Sequence, residues 1–121
     1  MDAIFSFVII SYNRAADTID AVKNVLLLDE VQGWTKEIVV LNNGSTQEYK
    51  IFENYLNTLP KGDRDKINYI NSNENLGVAG GRNLCIKEAT GKYLLFMDDD
   101  SEIANTNVIQ QILDLYKKYE N

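Results

Sequence analysis

Three aspartates in a row, Asp98, Asp99 and Asp100, follow directly on the apolar run Leu94–Met97 in YLLFMDDDSEI. Adjacent carboxylates repel one another unless positive charge sits among them. A divalent cation is one answer; a solvated acidic turn is the other. The chain has no His, so any metal would be held by oxygen, which suits Mg²⁺, Mn²⁺ or Ca²⁺. An EF-hand loop does not fit. Counted from Asp98, its glycine and closing glutamate positions hold Ile103 and Ile109. Other polar groups follow apolar runs in the same way. Ser11, Tyr12, Asn13 and Arg14 follow IFSFVII, Asn42 and Asn43 follow EIVVL, and the glycine-rich GVAGG, including Gly80, precedes Arg82. Each has a plainer reading. Tyr12 can pack at a helix start, the asparagines can supply turn conformations, and the glycines can allow close helix–sheet packing. Neither G-x-G-x-x-G nor G-x-x-x-x-G-K-[ST] occurs.

The elements that must position these residues follow from apolar patterning. Residues 4–10, 37–41, 67–70 and 92–97 are short runs of strand length, rich in β-branched and aromatic side chains. Between them lie helical patterns. The first begins at DTID, with Asp17 as expected N-cap, carries Ile19, Val22 and Leu26, and is expected to end near residues 32–33. The second is expected to open on a Ser45–Glu48 capping box, carry Ile51, Phe52, Tyr55, Leu56 and Leu59 inward, and stop at Pro60. KGDRDK reads as a solvated loop. A third helix is expected over about 78–89, with Ala79, Ile86 and Ala89 inward and Gly91 beyond its end, and a fourth over about 105–120. The order βαβαβαβα implies a parallel sheet with right-handed crossovers, strand order 3-2-1-4, helices on both faces, and a single domain over 1–121. In such a sheet ligands bind beyond the carboxyl ends of the strands, and every polar cluster named above falls on that edge.

Composition narrows the function classes. A net charge of −6 argues against a nucleic-acid face or an anionic membrane surface. Without His, Ser-His-Asp and Cys-His catalysis are excluded within these residues. The single Cys85 has no disulfide partner in the chain and reads as a small apolar side chain in a reducing, cytoplasmic setting. No apolar run approaches the ~20 residues of a membrane span, and the acidic start MDAIFSF lacks the basic segment of a secretory leader.

Taken in order, FVIISYNR, EIVVLNNGST, NENLGVAGGRN and LLFMDDD resemble the N-terminal, Rossmann-like nucleotide-binding half of family 2 glycosyltransferases with the GT-A fold, over nearly the whole chain. The resemblance implies that Asp98 and Asp100 form a D-x-D motif holding Mn²⁺ or Mg²⁺ on a nucleotide-sugar diphosphate, with Asp99 nearby. It implies that Tyr12 stacks on the base. Where the family has an acidic residue reading the base N3–H, this sequence has Asn42. An Asn carbonyl can accept from uracil or thymine N3–H, which favours a UDP- or dTDP-sugar, but its amide can equally meet another base. Asn43, Gly80 and Arg82 complete the expected nucleotide-binding set, Arg82 near phosphate or base. Transfer to an acceptor hydroxyl, with inversion, is implied for the parent protein.

The family also needs a catalytic base, and none of Glu102, Asp114 and Glu120 stands in a fitting context. The chain therefore reads as a truncated portion that binds a nucleotide sugar but does not transfer it. A non-catalytic nucleotide-binding or protein-interaction module is the competing reading. A flavodoxin- or receiver-like protein fits less well, because no carboxylate ends the first strand. Strand four is expected at a sheet edge, where its unpaired backbone invites self-association through that strand or the last helix.

Overall fold

The computed structural model describes residues 2–99, 103 and 105–119. The elements run β1 (Ala3–Ser11), α1 (Ala15–Leu26), β2 (Trp34–Asn43), α2 (Lys50–Thr58), α3 (Lys61–Arg64), β3 (Ile67–Ser72), α4 (Gly77–Glu88), β4 (Tyr93–Asp98) and α5 (Val108–Tyr119). All strand pairs are parallel, in the order β3-β2-β1-β4, as the alternation predicts.

The two faces of the sheet are readable from the period of two in the strands. Phe5, Phe7 and Ile9 of β1, with Ile38 and Val40 of β2, bury against α1, α2 and α5 through Val22, Val25, Phe52, Leu56 and Ile109. Val8, Val39 and Leu41 face the other way, onto Cys85 of α4. The central strands are therefore apolar on both faces, which is why they show runs and not alternation. Below the sheet, at the amino ends of the strands, Trp34, Tyr93 and Tyr116 form a stack with centroid spacings of 5.5 and 4.5 Å. No helix among the described residues is long and apolar enough to cross a membrane.

Several local expectations are corrected. Asp17 is not the N-cap of α1; Arg14 is, and Asp17 lies in the first turn. The helix ends at Leu26, short of residues 32–33, because Lys36 closes it: its Nζ donates to the carbonyls of Val25, Leu26 and Leu28 at 2.9–3.2 Å. A cation there meets the negative end of the helix dipole as well as the orphan carbonyls. No Ser45–Glu48 capping box forms, since α2 starts at Lys50 after Tyr49 and Ser45 is used elsewhere. Pro60 does end α2, and the preceding Leu59 is extended, as a residue before proline prefers. The expected loop over 61–66 contains the single-turn helix α3, with Pro60 at its start. On α4 the inward residues are Gly81 and Cys85; Ala79 and Ile86 face solvent.

Candidate functional site at the carboxyl edge of the sheet

Register brings the strand ends level. Ser11 lies opposite Asn42, Asn42 opposite Asn71, and Ile10 opposite Asp98. Three loops and the end of β4 therefore meet above the same edge.

The loop after β1 is anchored from below by hydroxyls. The buried Ser11 Oγ hydrogen bonds with Thr18 Oγ1 and with Tyr49 Oη. The Arg14 N–H donates to Tyr49 Oη at 3.0 Å, and Thr18 Oγ1 donates to the Arg14 carbonyl at 2.7 Å. Above this network Asn13 adopts φ +54°, a left-handed conformation that Asn tolerates better than most residues. Its Oδ1 accepts the N–H groups of Thr46 and Gln47, its Nδ2 donates to Thr46 Oγ1, and its own N–H donates to Ser45 Oγ. This clamps the β1–α1 and β2–α2 loops together. Tyr12, between the two anchors, is 43% exposed.

The loops after β2 and β3 are joined equally closely. Gly44 has φ +69°, and a Cβ there would collide with the Glu74–Asn75 backbone. Buried Asn43 accepts the Leu76 N–H on Oδ1 at 2.9 Å and donates from Nδ2 to the Gly77 carbonyl at 3.3 Å. It thereby holds the start of α4 against β2. Asn42 is also engaged within the protein. Its Oδ1 accepts the Ser45 N–H at 3.3 Å and its Nδ2 donates to Asn71 Oδ1 at 3.1 Å. Nearby, burial pushes the Tyr69 hydroxyl up to about 12, with the Glu53 carboxylate adding and hydrogen bonds from the Asn42 and Asn71 amides offsetting.

A cleft of about 410 Å³ opens between these loops and β4. Tyr12, Asn43, Asn75, Gly77, Arg82 and Asp98 supply its polar lining, over an apolar floor of Ile10, Val78, Phe96 and Met97. The Arg82 guanidinium lies over the Phe96 ring, 5.6 Å from its centroid. Of the residues singled out in the sequence, Tyr12, Asn43, Arg82 and Asp98 converge on this cleft. Asn42, Gly80 and Asp99 do not line it: Gly80 packs toward Leu76, and Asp99 turns to the β1–α1 loop. Asp100 lies outside the described residues. Asn75 and Gly77, two residues apart in one turn-rich loop, carry no individual signal in the sequence that sets them apart from their neighbours. The hydroxyls of Thr18 and Tyr49 went unnoticed because each sits inside an otherwise ordinary helical pattern.

Among the described residues no three His, Cys, Asp or Glu side chains are grouped so as to hold a metal ion. Of the oxygen donors a hard divalent cation takes, the described lining presents the Asp98 carboxylate and the Tyr12, Asn43 and Asn75 side chains, beside the Met97 thioether and the Arg82 cation.

Comparisons with known proteins agree with this fold. Residues 6–121 match the pattern of Glycosyl transferase family 2. An uncharacterized glycosyltransferase of Rickettsia conorii is 36% identical over 99 residues, which cover 82% of this chain and 15% of that protein. The crystal structure of Staphylococcus aureus TarS 1–349 in complex with UDP superposes with a TM-score of 0.71 at 27% identity, covering 98% of this chain and 33% of that one. The mannosyltransferase PcManGT of Pyrobaculum calidifontis, in complex with GDP-Man and Mn²⁺, gives a TM-score of 0.80 at 18% identity, over 96% of this chain and 33% of that one. The chain thus spans a small part of the Rickettsia relative and about a third of either structure. The shared architecture is the GT-A α/β fold. With the sheet order, the loop-lined cleft and a family match over nearly its whole length in agreement, the chain belongs to the family 2 glycosyltransferases.

Proposed function

We propose that the cleft binds the nucleoside diphosphate of a UDP- or dTDP-sugar with Mn²⁺ or Mg²⁺ held by Asp98 and Asp100, and that the whole protein transfers the sugar to an acceptor hydroxyl with inversion. The observation that carries this reading is the convergence of Tyr12, Arg82 and Asp98 on one cleft at the carboxyl edge of the sheet. The family match and the UDP bound by TarS, a relative in sequence as well as fold, support it.

The roles follow from side-chain chemistry. Tyr12 offers an exposed ring on which a base can stack, an interaction worth about 1–3 kcal/mol. Arg82 brings the cation that a diphosphate needs into a chain whose net charge is −6. Asn43 and Gly77 keep the α4 end of the cleft in place. A bound divalent ion would supply Lewis-acid stabilisation of the charge that develops on the departing nucleoside diphosphate. Among the described residues Asp98 is the one carboxylate lining the cleft, and metal binding would occupy it. A base for the acceptor hydroxyl is thus not supplied by this lining, and residues 1–121 alone should not transfer sugar. The buried Cys85 suits a reducing, cytoplasmic setting.

A second reading, a non-catalytic nucleotide-binding or interaction module, draws on Asn42, whose amide is spent on Ser45 and Asn71. Calorimetric titration of UDP, dTDP and GDP with Mn²⁺ and with EDTA tests the binding claim. The expected result is metal-dependent binding of a uracil or thymine nucleotide in the millimolar to high-micromolar range, roughly −4 to −6 kcal/mol. Equal affinity with EDTA and with Mn²⁺ contradicts it. A transfer assay on the whole protein separates enzyme from non-catalytic module.

A further inference from the structure

The last residue of β4 and the turn residue that follows it go to different sides of the sheet edge. Asp98 lines the cleft; Asp99 does not. The Asp99 carboxylate reaches across to the β1–α1 loop instead. Its Oδ2 accepts the Tyr12 N–H at 3.4 Å, and its Oδ1 lies 3.9 Å from Arg14 Nε. The Asp99 side chain is only 15% exposed, so its charge is partly removed from water and depends on these partners. Arg14 is itself well fixed. Its N–H is held by Tyr49, its carbonyl by Thr18, and its guanidinium lies 3.3 Å from Asp17 at the first turn of α1.

We propose that Asp99 is a positioning residue and not a metal ligand: with Arg14 as its countercharge, it ties the acidic turn after β4 to the loop that presents Tyr12. This rests on the nucleotide-sugar reading above and deepens it. One residue of the acidic run faces the diphosphate end of the cleft, while its neighbour fixes the platform for the base. Arg14 also offsets the repulsion between the adjacent Asp98 and Asp99 carboxylates without a cation. The two ends of the nucleotide site are thereby coupled through a single side chain.

The test uses the full chain as wild type and as Arg14→Ala, Arg14→Lys, Asp99→Ala and the Arg14→Ala/Asp99→Ala double variant. Amide hydrogen exchange is measured without ligand or metal, and UDP affinity with Mn²⁺ and with EDTA. The expected result is faster exchange at the Tyr12 N–H in Arg14→Ala and Asp99→Ala, with the Val39 and Val40 amides unchanged. Affinity for UDP with Mn²⁺ should fall about three- to tenfold in either variant, recover in Arg14→Lys, and fall no further in the double variant, the mark of a shared interaction. Asp99→Ala should keep its preference for Mn²⁺ over EDTA. Loss of that preference would make Asp99 a ligand and overturn the proposal, as would additive losses or an unchanged Tyr12 amide. Should wild type bind no UDP at all, the cleft reading falls, and Tyr12 exchange alone then decides whether the clamp exists.

Discussion

Single residues carry most of the chemistry. Truncating Tyr12 to Ala removes the exposed ring but no buried contact, so stability should hold while UDP affinity drops by about 1–3 kcal/mol in a fluorescence or calorimetric titration. Asn42 is a different case. Its carbonyl accepts the Ser45 N–H and its amide nitrogen donates to Asn71. Asn42→Asp keeps the first bond and keeps the second only if the Asn71 amide turns to donate. If the side chain also reads uracil N3–H, UDP affinity should be kept or improved; a loss for UDP together with a gain for GDP would assign a different base. The buried Cys85 and the half-buried Tyr69 predict the alkaline limit of stability. Burial raises the Cys85 thiol from 9.0 to about 11 and the Tyr69 hydroxyl from 10.0 to about 12. Both folded values lie above the unfolded ones, so their contribution is complete below pH 9 and is lost as pH rises through roughly 9–12. Lys36 acts oppositely, because burial lowers its value from 10.5 and the charged form becomes less costly to replace as pH rises toward that value. Urea midpoints across this range should fall overall, and Tyr69→Phe should flatten the upper part of the decline. Cys85 should resist iodoacetamide at pH 8 until the fold is opened with urea.

At the scale of elements, Lys36 shows what holds the scaffold to its loops. Its ammonium satisfies three carbonyls at the end of α1. Lys36→Met keeps the buried stem but orphans those acceptors, and should cost about 1–3 kcal/mol by urea denaturation. A change below ~0.5 kcal/mol would mean that water replaces the ammonium without penalty. This residue was invisible in the sequence. A lysine inside the β2 run looks like a solvated end, and only the tertiary placement of α1 gives it three acceptors. The strands themselves were readable, because a sheet buried on both faces leaves uninterrupted runs such as Phe7–Ile10 and Ile38–Leu41. The starts of α1 and α2 were not, although that of α4 was. Asp17 and Ser45 have the right chemistry for caps, yet an ion pair with Arg14 takes the first and the Asn13 N–H takes the second. Local propensity lost in both places to the joining of the β1–α1 and β2–α2 loops. The site was readable to the extent that it follows topology. Strand order fixes which loops meet, so the convergence of Tyr12, Asn43, Arg82 and Asp98 on one cleft follows from it, whereas the direction in which Asn42 and Asp99 turn depends on partners such as Asn71 and Arg14, far away in the chain.

At the scale of the molecule, the sheet has an acidic, loop-built edge above and an aromatic stack below, and its β4 side is thinly covered. Among the described residues β4 pairs with β1 alone, and Phe96, Leu115, Tyr116 and Tyr119 are exposed near that side. A strand whose outer edge has no partner among the described residues, next to exposed apolar groups, should make residues 1–121 self-associate at high concentration, against a net charge of −6 that salt screens within ~8 Å. Sedimentation equilibrium should show mass rising above 13.8 kDa with concentration; a strict monomer would mean that the edge is protected. The central claim, that the carboxyl edge of the sheet is a nucleoside diphosphate site, is tested most directly by ¹H–¹⁵N spectra during titration with UDP and Mg²⁺. The account predicts shifts at Tyr12, Asn43, Gly77, Arg82 and Asp98, with Thr35, Lys66 and Thr90 at the opposite edge unmoved. Shifts confined to that opposite edge, or none at millimolar UDP, would contradict it.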